Sequence, residues 1–457
     1  MSFWDADGVA SAARATLVRR PARAAAGPGG VSIDSRTVAA GELFVGLPGS
    51  RVDGGSHARD ALEHGAWGVL VAPDHAAELV GEDSVVLTHP DPLRALQALA
   101  GAWREELAAG GMRVVAITGS TGKTSTKDIL AALLGGHVAT FASPENLNTE
   151  IGLPLAILAA PAGTQALVLE MAMRGSGQIA ELTAIAKPDV GVIVNVGPAH
   201  LELLGSLEAI AAAKAELIAG LAAGATIVVP AGEPLLDGHR RGDLRVLSFG
   251  EGGDVALVQT RPDGALRVRS GGERLTLEPS FRGAHNVLNL LAAIAAAEAL
   301  GVRHEGPLEV QFSALRGARH ALPGGVLLID DCYNANPMSM RAAIDELAET
   351  AASRRVAVLG DMLELGAQAP LFHREMGAHA AERGVGLLVT VGPLAALMGE
   401  TFDGEAHAVP DAQAAAELLP SLLRAGDVVL VKGSRGVGLE RVARTLEPAL
   451  EAAPGRL

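Results

Sequence analysis

The sequence has 457 residues, too many for one hydrophobic core, so about three domains are expected. A hydrophobic content of 49% with 19% charged residues excludes a disordered chain. The net charge of −15 argues against a nucleic-acid partner, because proteins that bind nucleic acid usually present a basic face. One cysteine excludes a disulfide framework, and neither a secretory signal nor a membrane span is predicted, so we expect a cytoplasmic protein.

The first block of the chain, residues 1–110, contains short apolar runs that predict strands around an Ala-rich helix. These runs are 42–47, 67–71 and 84–87. The pair Gly110 and Gly111 then marks a break between this block and the next.

The second block, residues 111–318, alternates β-branched runs with helical periods. The predicted strands are 114–118, 166–170, 190–196 and 226–229, and one helix has an apolar face made of Ile129, Leu130, Leu133 and Leu134. Alternation of this kind predicts a parallel sheet covered by helices on both sides. Residues 245–279 are predicted to form short antiparallel strands inserted into this block.

The third block, residues 319–457, alternates strands and Ala-rich helices again and predicts a Rossmann-like domain. Its predicted strands are 326–329, 355–359, 387–391 and 428–431. No G-x-G-x-x-G run follows its first strand, so the sequence does not support binding of NAD.

The strongest local motif is a glycine-rich loop, GSTGKT at 119–124, which lies between a predicted buried strand and a helix. Glycines let the backbone amides of such a loop point at phosphate oxygens, and the helix N-terminus adds a favourable potential. Lys123 reaches terminal phosphates, and the Thr124 hydroxyl suits Mg²⁺. Ile117 stands where a strict Walker A motif has glycine, so the loop is a short variant. The alternative is an ordinary turn, which the Lys-Thr pair disfavours.

Two further polar residues follow predicted strands of the same sheet. Glu170 ends one strand, at the edge where parallel sheets bind ligands, and is a candidate for Mg²⁺. His200 follows another strand and is a candidate for a second metal. Taken alone, an acidic residue at a strand end is more often a cap or a solvated residue, and the neighbouring loop makes the two interpretations of Glu170 about equal. A histidine such as His200, taken alone, is more often structural.

These residues belong to a series of motifs whose order resembles the Mur ligase family. The shared motifs are GSTGKT at 119–124, NLN at 146–148, EMAMR at 170–174, NVGPAHLE at 195–202, KAE at 214–216 and GAHNVLN at 283–289. Further motifs resemble the members that add D-alanyl-D-alanine to UDP-N-acetylmuramoyl-tripeptide. They are DSR at 34–36, DDCYNANPMSM at 330–340, VLGDMLELG at 358–366 and KGSR at 432–435.

The resemblance implies an α/β fold of three domains. A central P-loop parallel-sheet ATPase domain (111–318) is flanked by an N-terminal α/β domain (1–110) that binds the UDP-substrate and by a C-terminal Rossmann-like ligase domain (319–457). It also implies that a substrate carboxylate attacks the γ-phosphate of ATP to form an acyl phosphate, which the amine of D-alanyl-D-alanine then displaces. The implied cofactors are ATP, two Mg²⁺ ions and a lysine carbamate formed with CO₂. The chain is expected to be a monomer.

The resemblance also assigns roles to residues at matching positions. The catalytic residues are Lys123, His200, Lys214 and Asn336. The metal ligands are Thr124, Glu170, His200 and Lys214 as its carbamate. The ATP-binding residues are Gly119, Ser120, Thr121, Gly122, Lys123, Thr124, Ser125, Asn286, Asn289, Arg319 and Asp331. The substrate-binding residues are Ser35, Arg36, Asn146, Asn148, Arg174, Asn334, Lys432, Ser434 and Arg435.

The sequence departs from the family pattern at three places. His57 follows Asp53 by four residues instead of two, so its role is open. Arg316 competes with Arg319 as the arginine that contacts nucleotide, and Cys332 replaces the usual serine.

Three alternative functions were weighed. A sister Mur ligase or a folylpolyglutamate-synthase-like enzyme adds a single amino acid, and the motifs of the third block disfavour it. A nucleotide-driven switch or motor is disfavoured because Met171, and not a second carboxylate, follows Glu170. A degenerate binding module is disfavoured because the phosphate loop and the candidate metal ligands are intact.

Overall fold

The computed structural model describes residues 4–21, 26–79, 84–144 and 146–451. The outermost residues of the first and third predicted domains, 1–3 and 452–457, lie outside the described residues. The described chain forms three α/β domains in sequence, each organised around a sheet that is largely parallel. No helix in these ranges is both long and apolar enough to cross a bilayer.

The N-terminal domain has a five-stranded sheet. Its strands are β1 (Thr16–Arg19), β2 (Val31–Ser32), β3 (Leu43–Val45), β4 (Gly68–Val71) and β5 (Val85–Thr88). Its helices are α1 (Ala6–Ala12), α2 (Ala58–Glu63), α3 (Pro73–Ala76) and α4 (Pro92–Ala109), with 3₁₀ turns at Gly54–His57 and Ala77–Leu79. The order is β1-β5-β4-β3-β2, and β1 is antiparallel to β5. Strands β3 to β5 are buried on both faces, as parallel strands covered by helices are.

The central domain carries a six-stranded parallel sheet in the order β11-β10-β9-β6-β8-β7. These strands are β6 (Arg113–Thr118), β7 (Thr140–Ala142), β8 (Ala166–Glu170), β9 (Val190–Ile193), β10 (Thr226–Pro230) and β11 (Arg245–Phe249). The helices are α5 (Lys123–Gly135), α6 (Gly152–Ala159), α7 (Gln178–Ala186), α8 (Leu201–Leu204), α9 (Leu207–Gly220) and α10 (Ala284–Ala299), with a 3₁₀ turn at Pro234–His239.

A second, four-stranded sheet completes the central domain. Its strands are β12 (Ala256–Thr260), β13 (Leu266–Ser270), β14 (Glu273–Pro279) and β15 (Gly306–Leu308). The prediction of inserted antiparallel strands was therefore wrong for residues 245–249, which pair in parallel with β10 as the edge of the main sheet. It is confirmed for β12 to β14. A short period-two run such as 245–249 is typical of both parallel and antiparallel edge strands, so the sequence did not distinguish the two arrangements.

The C-terminal domain has a six-stranded sheet in the order β16-β17-β21-β18-β19-β20. Its strands are β16 (Ala318–Leu322), β17 (Val326–Asp330), β18 (Arg354–Gly360), β19 (Leu387–Val391), β20 (Glu405–Val409) and β21 (Asp427–Lys432). Its helices are α11 (Pro337–Glu349), α12 (Ala369–Glu382), α13 (Ala412–Leu422) and α14 (Glu440–Glu451), with 3₁₀ turns at Pro323–Gly325, Gly366–Gln368, Ala395–Glu400 and Arg435–Val437. The sequence missed β16 and β20, which are edge strands with mostly exposed side chains and no apolar run.

The N-terminal and central domains share one hydrophobic core. Helix α4 contributes Leu99, Trp103 and Leu107 to a cluster that also contains Val114 of β6 and Leu153 of α6. The indole N–H of Trp103 donates a hydrogen bond to Ala160 O at 3.1 Å. The core clusters of the C-terminal domain are distinct from this one, but Phe372 of α12 packs against both the shared core and one of them. The first two domains are thus joined by a common core.

Candidate active site

A cavity of about 1630 Å³ lies among the three domains, at the carboxyl ends of the central and C-terminal parallel strands. The structure places most of the predicted site residues in its wall. These are Ser120, Thr121, Gly122, Lys123, Thr124, Ser125, Asn146, Asn148, Glu170, Arg174, His200, Asn286, Asn289, Arg316, Arg319, Asp331, Asn334, Asn336, Lys432, Ser434 and Arg435. Four predicted residues are outside the wall: Ser35, Arg36, Gly119 and Lys214.

The glycine-rich loop joins β6 to α5. Gly122 has φ 79°, a backbone conformation that favours glycine, and a Cβ there would lie 2.3 Å from Asn289 Oδ1. Both the backbone conformation and the lack of space therefore require glycine. Helix α5 begins at Lys123, so the amides of its first turn have no partners within the helix and face the cavity. Lys123 Nζ donates to Gly119 O at 2.8 Å. Burial lowers the pKa of Lys123, while the Glu170 carboxylate acts to raise it.

Asn195, just after β9, fixes the conformation of this loop. Its Oδ1 accepts hydrogen bonds from the amides of Ser120 at 3.1 Å and Thr121 at 3.0 Å. Its Nδ2 donates to Thr121 O at 3.1 Å. Asn195 was part of a motif in the sequence but had no assigned role. The only local signal is that this polar residue follows β9, which pairs with β6, the strand that leads into the loop.

Beside the loop, the buried residues Thr124 and Glu170 and the half-buried Asn148 form a hydrogen-bonded set. Thr124 Oγ1 donates to Glu170 Oε2 at 2.7 Å, and Asn148 Nδ2 donates to Oε1 of the same carboxylate at 2.9 Å. Glu170 is 2% exposed and ends β8, as the sequence predicted. The carboxylate is thus held in one orientation, with oxygen donors next to the phosphate loop.

His200 connects the central domain to the C-terminal domain. Its Nδ1 is hydrogen-bonded to the carboxylate of Glu364, and Arg174 lies 3.9 Å from the same carboxylate. Burial lowers the pKa of His200, although Glu364 acts to raise it. Glu364 belongs to the sequence motif at 358–366, but no local pattern indicates its role, because its partner is 164 residues away.

Lys214 on α9 is 1% exposed. No hydrogen bond or ion pair joins its ammonium group to any residue that the structure describes. Burial lowers the pKa of Lys214 well below its ordinary value, and the nearby charge of Lys123 lowers it further. From its own sequence surroundings Lys214 would be interpreted as a solvated helix lysine. The structure excludes that interpretation.

The C-terminal wall is built from the loop after β17 and the end of β21. Lys432, 2% exposed, donates to Asp331 Oδ2 at 2.7 Å and to Asn334 O at 3.0 Å. Asn336 caps α11 through a reciprocal pair of hydrogen bonds with Ser339. Its Nδ2 also donates to Ser120 O at 3.3 Å, across the domain boundary.

Two asparagines of α10 and three phenylalanines also line the cavity. Asn289, which lies against Gly122 of the phosphate loop, is 4% exposed and donates to Asn286 Oδ1 at 3.4 Å. The phenylalanines are Phe249, Phe281 and Phe312. Arg319 is ion-paired with Glu346 at 2.9 Å, and the guanidinium of Arg316 lies over the Tyr333 ring instead.

The N-terminal residues predicted to bind substrate lie apart from this cavity. Arg36 is ion-paired with Asp34 at 2.6 Å on an exposed surface, and Ser35 is buried. His57 pairs with Asp60 at 3.1 Å. The only residue of this domain in the cavity wall is Ile33, among the part of the chain that is described.

Cysteine chemistry is absent from the site. The Cys332 thiol is buried and donates to Asp330 Oδ1 at 2.8 Å. Burial is the main cause that raises the pKa of this thiol, and the Asp330 carboxylate raises it further.

Within the described ranges no group of three or more His, Cys, Asp or Glu side chains is arranged to hold a metal by itself.

Three family models match successive stretches of the chain. The Mur ligase family catalytic domain matches residues 29–104, the Mur ligase middle domain matches 117–297, and the Mur ligase glutamate ligase domain matches 316–435.

Named relatives and solved structures agree with these matches. The UDP-N-acetylmuramoyl-tripeptide–D-alanyl-D-alanine ligase of Bacillus subtilis is 37% identical over 91% of this chain and 93% of its own length. The enzyme of that name from Mycobacterium tuberculosis is 39% identical, covering 92% of each chain. MurF from Acinetobacter baumannii superposes with a TM-score of 0.86 at 28% identity, over 98% of this chain and 100% of that one. MurF from Thermotoga maritima, solved with ADP, gives 0.79 at 32% identity, over 93% and 98%. The chain therefore belongs to the Mur ligase family.

Proposed function

We propose that this protein uses ATP to join D-alanyl-D-alanine to UDP-N-acetylmuramoyl-tripeptide, forming the amide bond of a peptidoglycan precursor. The observation that carries the proposal is the match to ligases of that name at 37% and 39% identity over more than nine-tenths of the chain. The three-domain α/β architecture that it shares with MurF structures supports the same reaction. A sister ligase adding a single amino acid is not favoured.

ATP binding is assigned to the loop 119–125 and the first turn of α5. A solved relative holds ADP, which supports nucleotide use here. The amides at the start of α5 and the Lys123 ammonium group suit the β- and γ-phosphates. Asn286 and Asn289 in the cavity wall are proposed to lie near the adenine, and Asp331 near the ribose.

Two Mg²⁺ ions fit the donors that the chain provides. Thr124 and Glu170 present buried oxygen atoms 2.7 Å apart, the type of donor that Mg²⁺ prefers, and Mg²⁺ commonly takes only one or two protein ligands beside phosphates. His200 and the carbamate of Lys214 are proposed for the second ion. When bound, the ions would neutralise charge between the carboxylate and the triphosphate.

Lys214 has the environment that a lysine carbamate requires. Burial, with the nearby charge of Lys123, lowers the pKa of this unpaired amine and so favours its neutral form, and only the neutral amine attacks CO₂. We expect a carbamate carbon signal when the protein is exposed to ¹³CO₂. The signal should be absent from Lys214→Met and retained in Lys127→Met, a lysine that is equally buried but hydrogen-bonded to Ser143 O. A signal that survives in Lys214→Met would contradict the assignment.

The reaction proceeds in two steps. A carboxylate oxygen of the tripeptide attacks the γ-phosphorus, the bond to the β,γ-bridging oxygen breaks, and ADP leaves. The dipeptide amine then attacks the acyl carbon, a proton is released, and phosphate leaves with the former carboxylate oxygen. Lys123 would stabilise charge on the transferring group, and Asn336 would keep the third domain against Ser120 so that water is excluded from the acyl phosphate.

The remaining assignments are part of the same proposal. The N-terminal domain (1–110) would bind the uridine end of the substrate through Ser35 and Arg36, and Asn146, Asn148 and Arg174 would meet the peptide end. The central domain would span 111–318 and the ligase domain 319–457. The protein would act as a cytoplasmic monomer without a nucleic-acid partner.

The decisive experiment measures phosphate release from ATP and Mg²⁺ in the presence of UDP-N-acetylmuramoyl-tripeptide, with and without D-alanyl-D-alanine. We expect release that requires both partners and a product heavier by the dipeptide. Release supported by single amino acids instead would identify a sister ligase. Release that needs no acceptor would indicate a switch and leave only the fold shared with the family.

A further inference from the structure

The loop that follows β18 in the C-terminal domain, residues 361–366, contacts the turn of the central domain that carries His200. The carboxylate of Glu364 is hydrogen-bonded to His200 Nδ1. The backbone of the same residue is joined to the turn as well, because Glu202 N donates to Glu364 O at 3.1 Å. Glu364 therefore meets the central domain through both its side chain and its backbone.

Both partners of this contact have an unusual backbone. Glu364 has φ 62° and His200 has φ 60°, in the left-handed region that residues other than glycine rarely adopt. Gly366, with φ 58°, lies so close to the turn that a Cβ there would be 3.3 Å from Glu202 Cα. Such conformations persist only where the surrounding contacts impose them, and they are concentrated at functional sites.

The loop is also held from inside the C-terminal domain. His373, which is fully buried, accepts a hydrogen bond on Nε2 from the Met362 amide at 2.9 Å. The next amide, that of Leu363, donates to Ser434 Oγ at 2.9 Å. The two residues before Glu364 are thus fixed, so the direction of this side chain toward the central domain is built into the fold.

The contact determines which nitrogen of His200 carries a proton. An ionised carboxylate has only acceptor atoms, so Nδ1 must donate to Glu364, and in the neutral ring Nε2 then keeps a free lone pair. Nε2 has no hydrogen-bond or ion-pair partner among the residues that the structure describes, and the side chain lines the cavity. Nε2 is therefore the ring nitrogen that is available to a ligand.

A simple ion pair between the domains is the alternative interpretation, and it requires a protonated His200. The Glu364 carboxylate does not need that charge, because the guanidinium group of Arg174 lies 3.9 Å away. An ion pair also gives no reason for the second ring nitrogen to remain without a partner in a cavity wall. The geometry favours a neutral, oriented imidazole.

We propose that Glu364 is a positioning residue, which orients His200 across the domain boundary with Nδ1 protonated and Nε2 free to bind a divalent cation. This role rests on the proposed function, which assigns His200 to the second Mg²⁺ ion, and adds the residue that prepares this ligand. A carboxylate that accepts from a ligating histidine commonly fixes the tautomer and the orientation of the ring. Because Glu364 belongs to the C-terminal domain, the ligand is prepared only while the two domains are in contact.

The first measurement is ¹⁵N NMR of protein labelled with ¹⁵N-histidine, at mildly alkaline pH and without metal. The His200→Gln variant identifies the signals of His200. We expect a protonated Nδ1 and an unprotonated Nε2 in the unchanged protein. In Glu364→Ala nothing selects this form, so both tautomers should be populated. A protonated Nε2 in the unchanged protein would overturn the assignment, and this result needs no substitution at Glu364.

The second measurement is the affinity for Mn²⁺, followed by electron paramagnetic resonance with a non-hydrolysable ATP analogue present. We expect the weaker of two Mn²⁺ sites to lose about ten- to a hundred-fold in affinity in Glu364→Ala. Glu364→Gln should recover part of this loss, since its amide oxygen still accepts from Nδ1. Glu405→Ala is the matched control, because Glu405 pairs with His407 at 3.2 Å outside the cavity wall.

Turnover gives a further comparison. In Glu364→Ala the Mg²⁺ concentration that gives half-maximal kcat should rise by the same factor, and saturating Mg²⁺ should restore most of kcat. A loss of kcat that Mg²⁺ does not restore, or an unchanged Mn²⁺ affinity, would show that the contact is only structural. The ligase reaction of the unchanged protein is unaffected by either result. Failure of the unchanged protein to form the product would instead remove the proposed function.

Discussion

The two walls of the cavity are built in different ways. On the central wall, Asn195 and Asn148 fix the phosphate loop and the Glu170 carboxylate by hydrogen bonds within one domain, and Glu170 is buried. On the C-terminal wall, Arg316 and Arg435 rest on a half-buried ring without anionic partners. The polar groups of the central wall are therefore held in place before any ligand binds, whereas the guanidinium groups of Arg316 and Arg435 have no anionic partner among the described residues.

Lys123→Ala should give the largest effect, because it removes the cation nearest the transferring phosphoryl group. We expect kcat to fall by about a thousand-fold or more. Steady-state ADP formation measures the loss, and Lys187→Asn, on the far end of α7 and paired with Glu105, serves as the control. Near-normal turnover in Lys123→Ala would show that the central wall does not carry the phosphoryl-transfer chemistry.

Gly122→Ala tests whether the loop must keep its shape. The new methyl would meet Asn289 Oδ1 at 2.3 Å on a backbone with φ 79°, so the loop must shift. We expect kcat/KM for ATP to fall about a hundred-fold, the usual cost of misplacing a group by about an ångström. Gly135→Ala, on the same helix with nothing within 4 Å, should leave kcat/KM unchanged. A similar loss in both variants would locate the effect in the helix and not in the loop.

Asn336 is where the two walls meet, and two substitutions separate its roles. Asn336→Asp keeps an acceptor for the Ser339 amide but loses the donor to Ser120 O, whereas Asn336→Ala loses both. We expect kcat to fall at least about tenfold in each variant. Only Asn336→Ala should also lose about 1 kcal/mol of unfolding free energy, since only there is the cap of α11 removed. Full activity in Asn336→Asp would mean that the cross-domain hydrogen bond is not needed.

Cys332→Ser should have the smallest effect, although the residue lies beside the cavity. Serine keeps the donor to Asp330 Oδ1, so the free energy of unfolding should change by less than about 1 kcal/mol and kcat by less than about twofold. Because burial raises the pKa of the thiol, it stays protonated at neutral and mildly alkaline pH. We expect alkylating reagents at pH 8 to modify Cys332 only after the protein is unfolded. Mass spectrometry of the folded and unfolded protein measures the modification. Rapid modification of the folded protein would contradict this.

Local patterns in the sequence predicted the parts of the molecule that depend on neighbouring residues. The loop at 119–124, the apolar face of α5 and the strand that ends in Glu170 were identified from spacing and residue type alone, and the structure has each as predicted. The family resemblance extended this to three domains. The proposed roles of individual site residues remain predictions.

The parts that the sequence did not reveal depend on contacts between distant residues. Asn195 acts on a loop 74 and 75 residues earlier, and Glu364 meets His200 from another domain. Their residue types are ordinary for loops, so nothing local marks them. Likewise Lys214 lies on an Ala-rich helix whose sequence does not show that the lysine faces inward. Edge strands β16 and β20 lack apolar runs because one side of each has no neighbouring strand.

The core shared by helix α4 and the central domain has a consequence for thermal unfolding. Trp103, 1% exposed, packs with residues of both domains, so neither can lose its core without exposing apolar surface of the other. The C-terminal domain has its own core clusters and touches the shared core through the partly buried Phe372, so it depends on that core much less. Calorimetry should therefore resolve two cooperative units instead of three. The N-terminal and central domains should melt together, and the C-terminal domain should melt separately. A nucleotide bound only to the central domain should raise the melting temperature of the N-terminal domain as well.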